Sequence, residues 1–114
     1  MGVYAFAAPI ARGKLDAWKQ FCAETSGPRR AERMESMRRC GITRERVFLQ
    51  QTPNADLAIV YLEGEDPQQE LHKLLASTHP FDKWLADQII DTHGIDVTQP
   101  PPPSNELVVD VSAT

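Results

Sequence analysis

The sequence predicts a single α+β domain, spanning residues 1–114 and built on an antiparallel sheet. Short β-rich apolar runs alternate with stretches whose apolar residues recur every three or four positions, which indicates strands interleaved with amphipathic helices. Two of the β-rich runs, at 44–52 and 57–63, are separated only by "PNAD", which is typical of an antiparallel hairpin. A chain of 114 residues is long enough to bury one modest hydrophobic core.

The first forty residues are predicted to form one strand and two helical segments. Residues 3–9, "VYAFAAP", form a short apolar run that suits a buried strand ending at Pro9. After Lys14, an amphipathic stripe indicates a helix; its apolar residues are Leu15, Trp18, Phe21 and Cys22. The break "SGP" at 26–28 precedes a charged helical segment at 29–40, which ends at Gly41, a suitable left-handed C-cap. The apolar edge of this second segment is thin and consists of Ala31, Met34 and Met37.

After the hairpin, two more helices are predicted. Asp66 suits an N-cap, with Pro67 at the first helical position and Gln69 at capping-box spacing. The buried face of this helix is formed by Leu71, Leu74 and Leu75. Pro80 then suits the first turn of an additional helix. The stripe of that helix is formed by Phe81, Trp84, Leu85, Gln88 and Ile89.

The C-terminal part is predicted to close the sheet. The segment "TQPPPPS" at 98–104 is a stiff, extended connector. Residues 105–112, "NELVVDVS", place Leu107, Val109 and Val111 in the alternation of a last strand. The predicted order is therefore β-α-β-β-α-(α)-β, the split βαβ plan of ferredoxin-like domains, with one extra helix.

The strands also predict association. In a split βαβ unit the helices cover one face of the sheet, so the opposite face should alternate to polar residues if it met water. The run "LAIVYL" at 57–62 is apolar or aromatic throughout, and "VYAFAA" at 3–8 is similar. An exposed apolar face of this size favours aggregation unless it is covered. We therefore expect a homodimer in which two copies pack through this sheet face, related by a two-fold axis.

Composition and charge narrow the classes of partner and compartment. The formal net charge is −4, which argues against general attraction to nucleic acid or membranes. Seven arginines and three glutamates nevertheless give residues 29–46 a local charge of +4. Cys22 and Cys40 lack metal-site spacing and suggest free thiols in a reducing compartment, so we expect a cytoplasmic protein. We expect no metal and no tightly bound cofactor.

The overall pattern resembles the dimeric α/β-barrel superfamily, which includes antibiotic-biosynthesis-type monooxygenases, haem-degrading monooxygenases and L-rhamnose mutarotases. The resemblance is carried by the strand "YAFAAPI", the helix "GKLDAWKQF", the hairpin "RERVFLQQTPNADLAIVYLE", the segment "LLASTHPFDKWLADQ" and the terminal "PPPPSNELVVDV". The combination "SGPRR…GITRERVFLQQTPNAD" is similar to small uncharacterised bacterial members. The resemblance implies two subunits joined sheet to sheet, with a ligand cleft between each sheet and its helices.

The family's catalytic histidines transfer poorly to this chain. Mutarotases use a histidine on the first helix, where this chain reads "WKQFCAET" without one. Haem-degrading members use a helix histidine as iron ligand, and His79 or His93 would be the counterparts here. Haem binding is thus a third possibility beside the two functional hypotheses given next.

Two hypotheses follow for the function. The first is a small-molecule-binding protein, either a cofactor-independent monooxygenase or an isomerase if it is an enzyme. In this hypothesis His79 transfers protons, Arg29 and Arg30 bind an anion, and Trp18, Tyr61 and Trp84 form the pocket walls with Gln50 as a polar contact. The alternative is a non-enzymatic structural or regulatory dimer, in which His79 caps a helix, both tryptophans pack in the core and the arginines form salt bridges.

Overall fold

The structure, a computed structural model, describes residues 2–95 and 104–114. Over these residues the chain forms three strands and four helices. In order they are β1 (Gly2–Pro9), α1 (Leu15–Ser26), α2 (Arg30–Cys40), β2 (Ile42–Gln51), β3 (Asp56–Gly64), α3 (Pro67–Ala76) and α4 (Pro80–His93). The predicted α+β class is confirmed. Most of the predicted connector at 98–104 lies outside the described residues.

The sheet has the order β1-β3-β2, and both pairs of neighbours are antiparallel. The predicted hairpin is confirmed, because β2 and β3 are neighbouring antiparallel strands. The turn between them is closed by the Thr52 amide, which donates to the Ala55 carbonyl at 3.0 Å. The central strand β3 aligns its neighbours in rows. One such row consists of Ala7, Ile59 and Phe48.

One face of the sheet lies under the helices. Tyr4, Ala58 and Leu62 point to this side and are almost fully buried. All four helices contribute to the same core, through Trp18 and Phe21 from α1, Cys40 from α2, Leu74 from α3, and Phe81 and Leu85 from α4. Because side chains alternate along a strand, the residues directly before and after each of these three positions lie on the opposite, open face of the sheet.

The helix boundaries follow local chemistry. Gly41 ends α2 with a φ of 91°, in the left-handed conformation that glycine adopts most readily. The Asp66 side chain caps α3 by accepting from the Gln69 amide. The Asp66 amide in turn donates to the carboxylate of Glu70 and not to the side chain of Gln69. The capping arrangement is therefore displaced by one residue from the predicted capping box.

Two predicted apolar helix faces were wrong in part. Leu75 of α3 is 45% exposed, whereas Leu74 is buried as predicted. In α2 the expected edge of Ala31 and Met34 is exposed, and the buried side chains are Arg33, Ser36 and Cys40. Helix α2 turns this polar side inward because two carboxylates pair with its arginines there. Glu45 of β2 accepts from Arg33, and Asp82 of α4 accepts from Arg39.

The predicted last strand at 105–112 was also wrong. Residues 104–114 have no regular secondary structure and are exposed throughout, including Leu107, Val109 and Val111. Apolar residues do alternate along this segment, but a strand also needs a paired neighbour and a surface to cover. In the single chain the tail contacts β1 through the Asn105 side-chain amide, which donates to the carbonyl of Ala5. None of the four described helices is long and apolar enough to cross a membrane.

Candidate functional site

The start of α4 is built by its own sequence, "STHPFD". His79 is the N-cap: its Nδ1 accepts from the Phe81 amide at 3.2 Å, and Pro80 occupies the first turn. The Ser77 hydroxyl accepts from the His79 amide at 3.2 Å and donates to Asp82 Oδ2 at 2.6 Å. The helix begins here because these side chains satisfy backbone amides that would otherwise lack partners at its N-terminus.

Asp82 is the centre of a buried polar cluster. Its side chain is 1% exposed, and Oδ1 accepts from Nη2 of Arg39 at 2.8 Å. Burial alone would raise the pKa of the Asp82 carboxyl, but hydrogen bonds from Ser36, Ser77 and Arg39 outweigh burial and lower that pKa below its usual value. Asp82 therefore stays ionised and holds α2 to the start of α4.

The cluster continues toward the sheet. Arg33 is buried, and its Nη1 donates to the Ser36 hydroxyl at 3.4 Å while its Nη2 donates to Glu45 of β2 at 3.1 Å. We call this set the Asp82 network; it consists of Arg33, Ser36, Arg39, Glu45, Ser77 and Asp82. It crosses from β2 through α2 to α4, so it fixes the position of α2 by polar contacts where its apolar edge is too thin to do so.

Arg29, at the N-cap position of α2, covers two aromatic rings of α4. Its guanidinium carbon lies 4.1 Å from the ring centroid of Trp84 and 4.8 Å from that of Phe81. The same guanidinium donates to both carboxylate oxygens of Glu32, at 2.9 and 3.0 Å. These hydrogen bonds raise the pKa of Arg29 and lower the pKa of Glu32. Arg29 is thus engaged by a stacking contact and a bidentate ion pair together.

A surface depression of about 280 Å³ lies between α2 and the start of α4. Its walls are formed by Ala31, Glu32, Glu35, Arg39 and His79, and it is open to solvent. It combines an imidazole, an arginine and two carboxylates, and it shares Arg39 with the Asp82 network. Glu32 lies beside His79 and pairs with Arg29, and Arg29 in turn covers Trp84, so these three predicted site residues lie in one region.

The other predicted site residues lie elsewhere. Trp18 is 6% exposed within the core, and Arg30 is exposed. Gln50 and Tyr61 lie on the open face of the sheet, where Gln50 is exposed and Tyr61 is half-buried. Burial, followed by the neighbouring Glu63, raises the pKa of the Tyr61 hydroxyl. The sequence had placed Trp18, Tyr61 and Trp84 around one ligand, whereas the structure distributes them over two faces of the sheet.

Trp84 is partly buried and packs against three side chains. The ring centroid of Trp84 lies 5.7 Å from that of Phe21 and 5.5 Å from that of Phe81, and Arg29 covers it from a further side. A second depression of about 370 Å³ is lined by Met34, Met37, Arg38, Gly41, Ile42 and Thr43. Neither this depression nor the one beside His79 is lined by Trp18 or Trp84.

The sequence did not reveal the Asp82 network. Arg33, Ser36 and Cys40 do have the spacing of three and four residues that is typical of a buried helix face. However, polar and charged residues with this spacing are usually exposed to solvent, so the spacing alone did not predict their burial. His93 makes a structural contact: its Nδ1 lies 2.8 Å from the Pro9 carbonyl and donates to it, tying the end of α4 to the end of β1.

Comparison with known proteins gives no assignment: no family model, no curated protein and no solved structure matches this chain. Within residues 2–95 and 104–114 there is also no group of three histidine, cysteine or acidic side chains placed to hold a metal ion.

Proposed function

We propose that this protein is a homodimer of two ferredoxin-like subunits packed sheet to sheet as an α/β barrel, with a structural or regulatory role. The observation that carries the proposal is the open face of the sheet. Phe48 is 58% exposed there, and its row neighbours Ile59 and Ala7 are also apolar. A face of this composition is stabilised when a second apolar surface removes it from water.

The element order supports the ferredoxin-like part of the proposal. Helices cover one face of an antiparallel sheet with the order β1-β3-β2, in which β1 is an outer strand. Association of two such sheets through their open faces would bury the apolar residues of β3 on both sides, which accounts for the continuous apolar run at 57–62.

The contacts of the candidate catalytic residues support a structural role. His79 caps α4, Arg29 pairs with Glu32, and Trp84 packs against Phe21. Each of these side chains has a structural task that explains its presence without a substrate. This favours the alternative in which the cleft between sheet and helices is filled by side chains.

A second candidate function is small-molecule binding, as a cofactor-independent monooxygenase or isomerase. It is favoured by the depression of about 280 Å³ in which His79 and Arg39 lie together with Glu32. That volume is close to the lower end of ligand pockets, roughly 300 Å³. Native mass spectrometry of freshly purified protein tests this candidate. The candidate is supported if the intact protein carries the added mass of a bound small molecule and His79→Ala does not.

The dimer is tested by a matched pair of charge substitutions. Phe48→Glu places a carboxylate on the open face, and Leu75→Glu places one at a similarly exposed apolar position on α3. Sedimentation equilibrium should give a dimer for the parent protein and for Leu75→Glu, and a monomer for Phe48→Glu, because an ion would be desolvated in the interface. A monomeric parent protein at micromolar concentration would overturn the proposal.

A further inference from the structure

The open face of the sheet is an ordered grid of three columns. Alternate residues of β1 contribute Val3, Ala5, Ala7 and Pro9. The central column on β3 contains Leu57, Ile59, Tyr61 and Glu63, and the β2 column contains Arg44, Arg46, Phe48 and Gln50. The register aligns these residues in rows, so that each row has one residue from each strand.

The two outer columns differ in height. On β1, Ala5 and Ala7 leave a shallow channel beside the central strand. On β2, Phe48 and the arginines stand well above the sheet, and Phe48 is 58% exposed. The face is therefore low along one edge and high along the other.

The two outer columns also differ in charge. Arg44 and Arg46 lie on β2, and Arg44 is 3.9 Å from the Glu63 carboxylate of β3. The four face residues of β1 carry no charge. An arrangement that stacked β2 on β2 would therefore collect the arginines of both copies at the same edge of the interface, where like charges are destabilising.

We infer that the two-fold axis of the sheet-to-sheet dimer runs along β3, so that Phe48 of each subunit packs into the Ala5–Ala7 channel of the other. This inference rests on the proposed homodimer and specifies its interface. Rotation about an axis along the strands lays β2 of one subunit over β1 of its partner. Rotation about an axis across the strands would instead lay β2 over β2 and β1 over β1.

Shape complementarity decides between these two arrangements. Packed sheets lie about 10 Å apart, a gap that interdigitating side chains must fill. With β2 over β1, the tall column fills the channel of the partner at both edges of the interface. With β2 over β2, two tall columns collide at one edge while two columns of alanine leave a void at the other, and both overpacking and voids are unfavourable.

The test is the sign of the effect of Ala7→Phe on the dimer dissociation constant. If Phe48 occupies the channel, Ala7→Phe obstructs it and weakens the dimer by roughly tenfold or more. The double variant Ala7→Phe with Phe48→Ala exchanges the two sizes and should regain most of that loss. Ala7→Leu serves as the milder variant, with the same expected direction, should the phenylalanine disturb folding as judged by circular dichroism.

The outcomes separate this inference from the proposed dimer. A dimer that Ala7→Phe or Ala7→Leu tightens would overturn the axis along β3 and leave the dimer standing, because the added side chain would then be filling a void between two β1 strands. A dimer that weakens but is not restored by the double variant also contradicts the inference. A parent protein that stays monomeric overturns the dimer and the axis together.

Discussion

Removing the Asp82 carboxylate should destabilise the fold more than any exposed acidic substitution. In Asp82→Ala, the Arg39 guanidinium loses a charge-assisted hydrogen bond, worth about 1.5–3 kcal/mol. The Ser36 and Ser77 hydroxyls each lose a hydrogen bond to the same ionised carboxylate, again worth about 1.5–3 kcal/mol. The sum of these values is an upper bound, because the Arg39 side chain is 35% exposed and can turn to water after the change, so we expect a net loss of at least about 3 kcal/mol.

Urea unfolding at a fixed protein concentration measures this loss, because association would make the apparent stability concentration-dependent. The matched control is Asp87→Ala, since Asp87 lies on the same helix and is exposed. We expect the midpoint to fall strongly in Asp82→Ala, with an unchanged slope, and to change little in the control. A loss below about 1 kcal/mol in Asp82→Ala would refute the reasoning that this network positions α2.

The same carboxylate predicts a specific acid sensitivity. The pKa of Asp82 is lower in the folded chain than its unfolded value of about 3.9. Its contribution to stability is therefore fully present above the unfolded pKa and is lost as pH falls through the folded pKa. In Asp82→Asn this part of the acid transition should disappear, so the parent and the variant should converge in stability as the pH falls. Parallel stability curves for the two proteins between pH 6 and pH 2 would contradict this.

Three further predictions concern close packing, thiol reactivity and the stacked arginine. Gly64→Ala would place a Cβ 2.9 Å from the Gly41 carbonyl oxygen, so we expect a loss of about 1–3 kcal/mol in urea unfolding. Burial raises the pKa of the Cys22 thiol to about 11, so iodoacetamide at pH 8 should label it roughly 100-fold more slowly than the urea-unfolded chain; equal rates would contradict a buried thiol. Arg29→Ala should uncover Trp84 and increase acrylamide quenching of tryptophan fluorescence, whereas Arg30→Ala should leave the quenching unchanged.

The order of the elements could be predicted because its determinants are local. The stripe that includes Trp18, the glycine at 41, the Asp66–Pro67 helix start and the Pro80 helix start each lie within one or two turns of what they specify. The prediction of a strand at 105–112 was wrong for the converse reason. Its alternation describes which side chains could share a face, but pairing depends on a neighbouring strand far away in sequence.

The candidate site was predicted residue by residue but not as an arrangement. His79, Arg29 and Trp84 do lie in one region, yet each is engaged by a partner that the sequence did not suggest. Gln50 was expected to be a polar contact in the ligand pocket, but it is exposed on the open face of the sheet. Propensity and periodicity report on backbone conformation and on burial in general; they do not report which two side chains meet.

The sequence by itself determined the helices, the hairpin and the apolar run of the central strand, because periodicity and capping act between residues a few positions apart. Only the tertiary structure decided that a polar face of α2 points inward. Arg39 and Asp82 are separated by 43 positions, and their pairing exists only once α2 and α4 are packed on the same sheet. A buried charge is stable only beside its partner, so its place in the fold follows from long-range packing and cannot be read from its own neighbours in the chain.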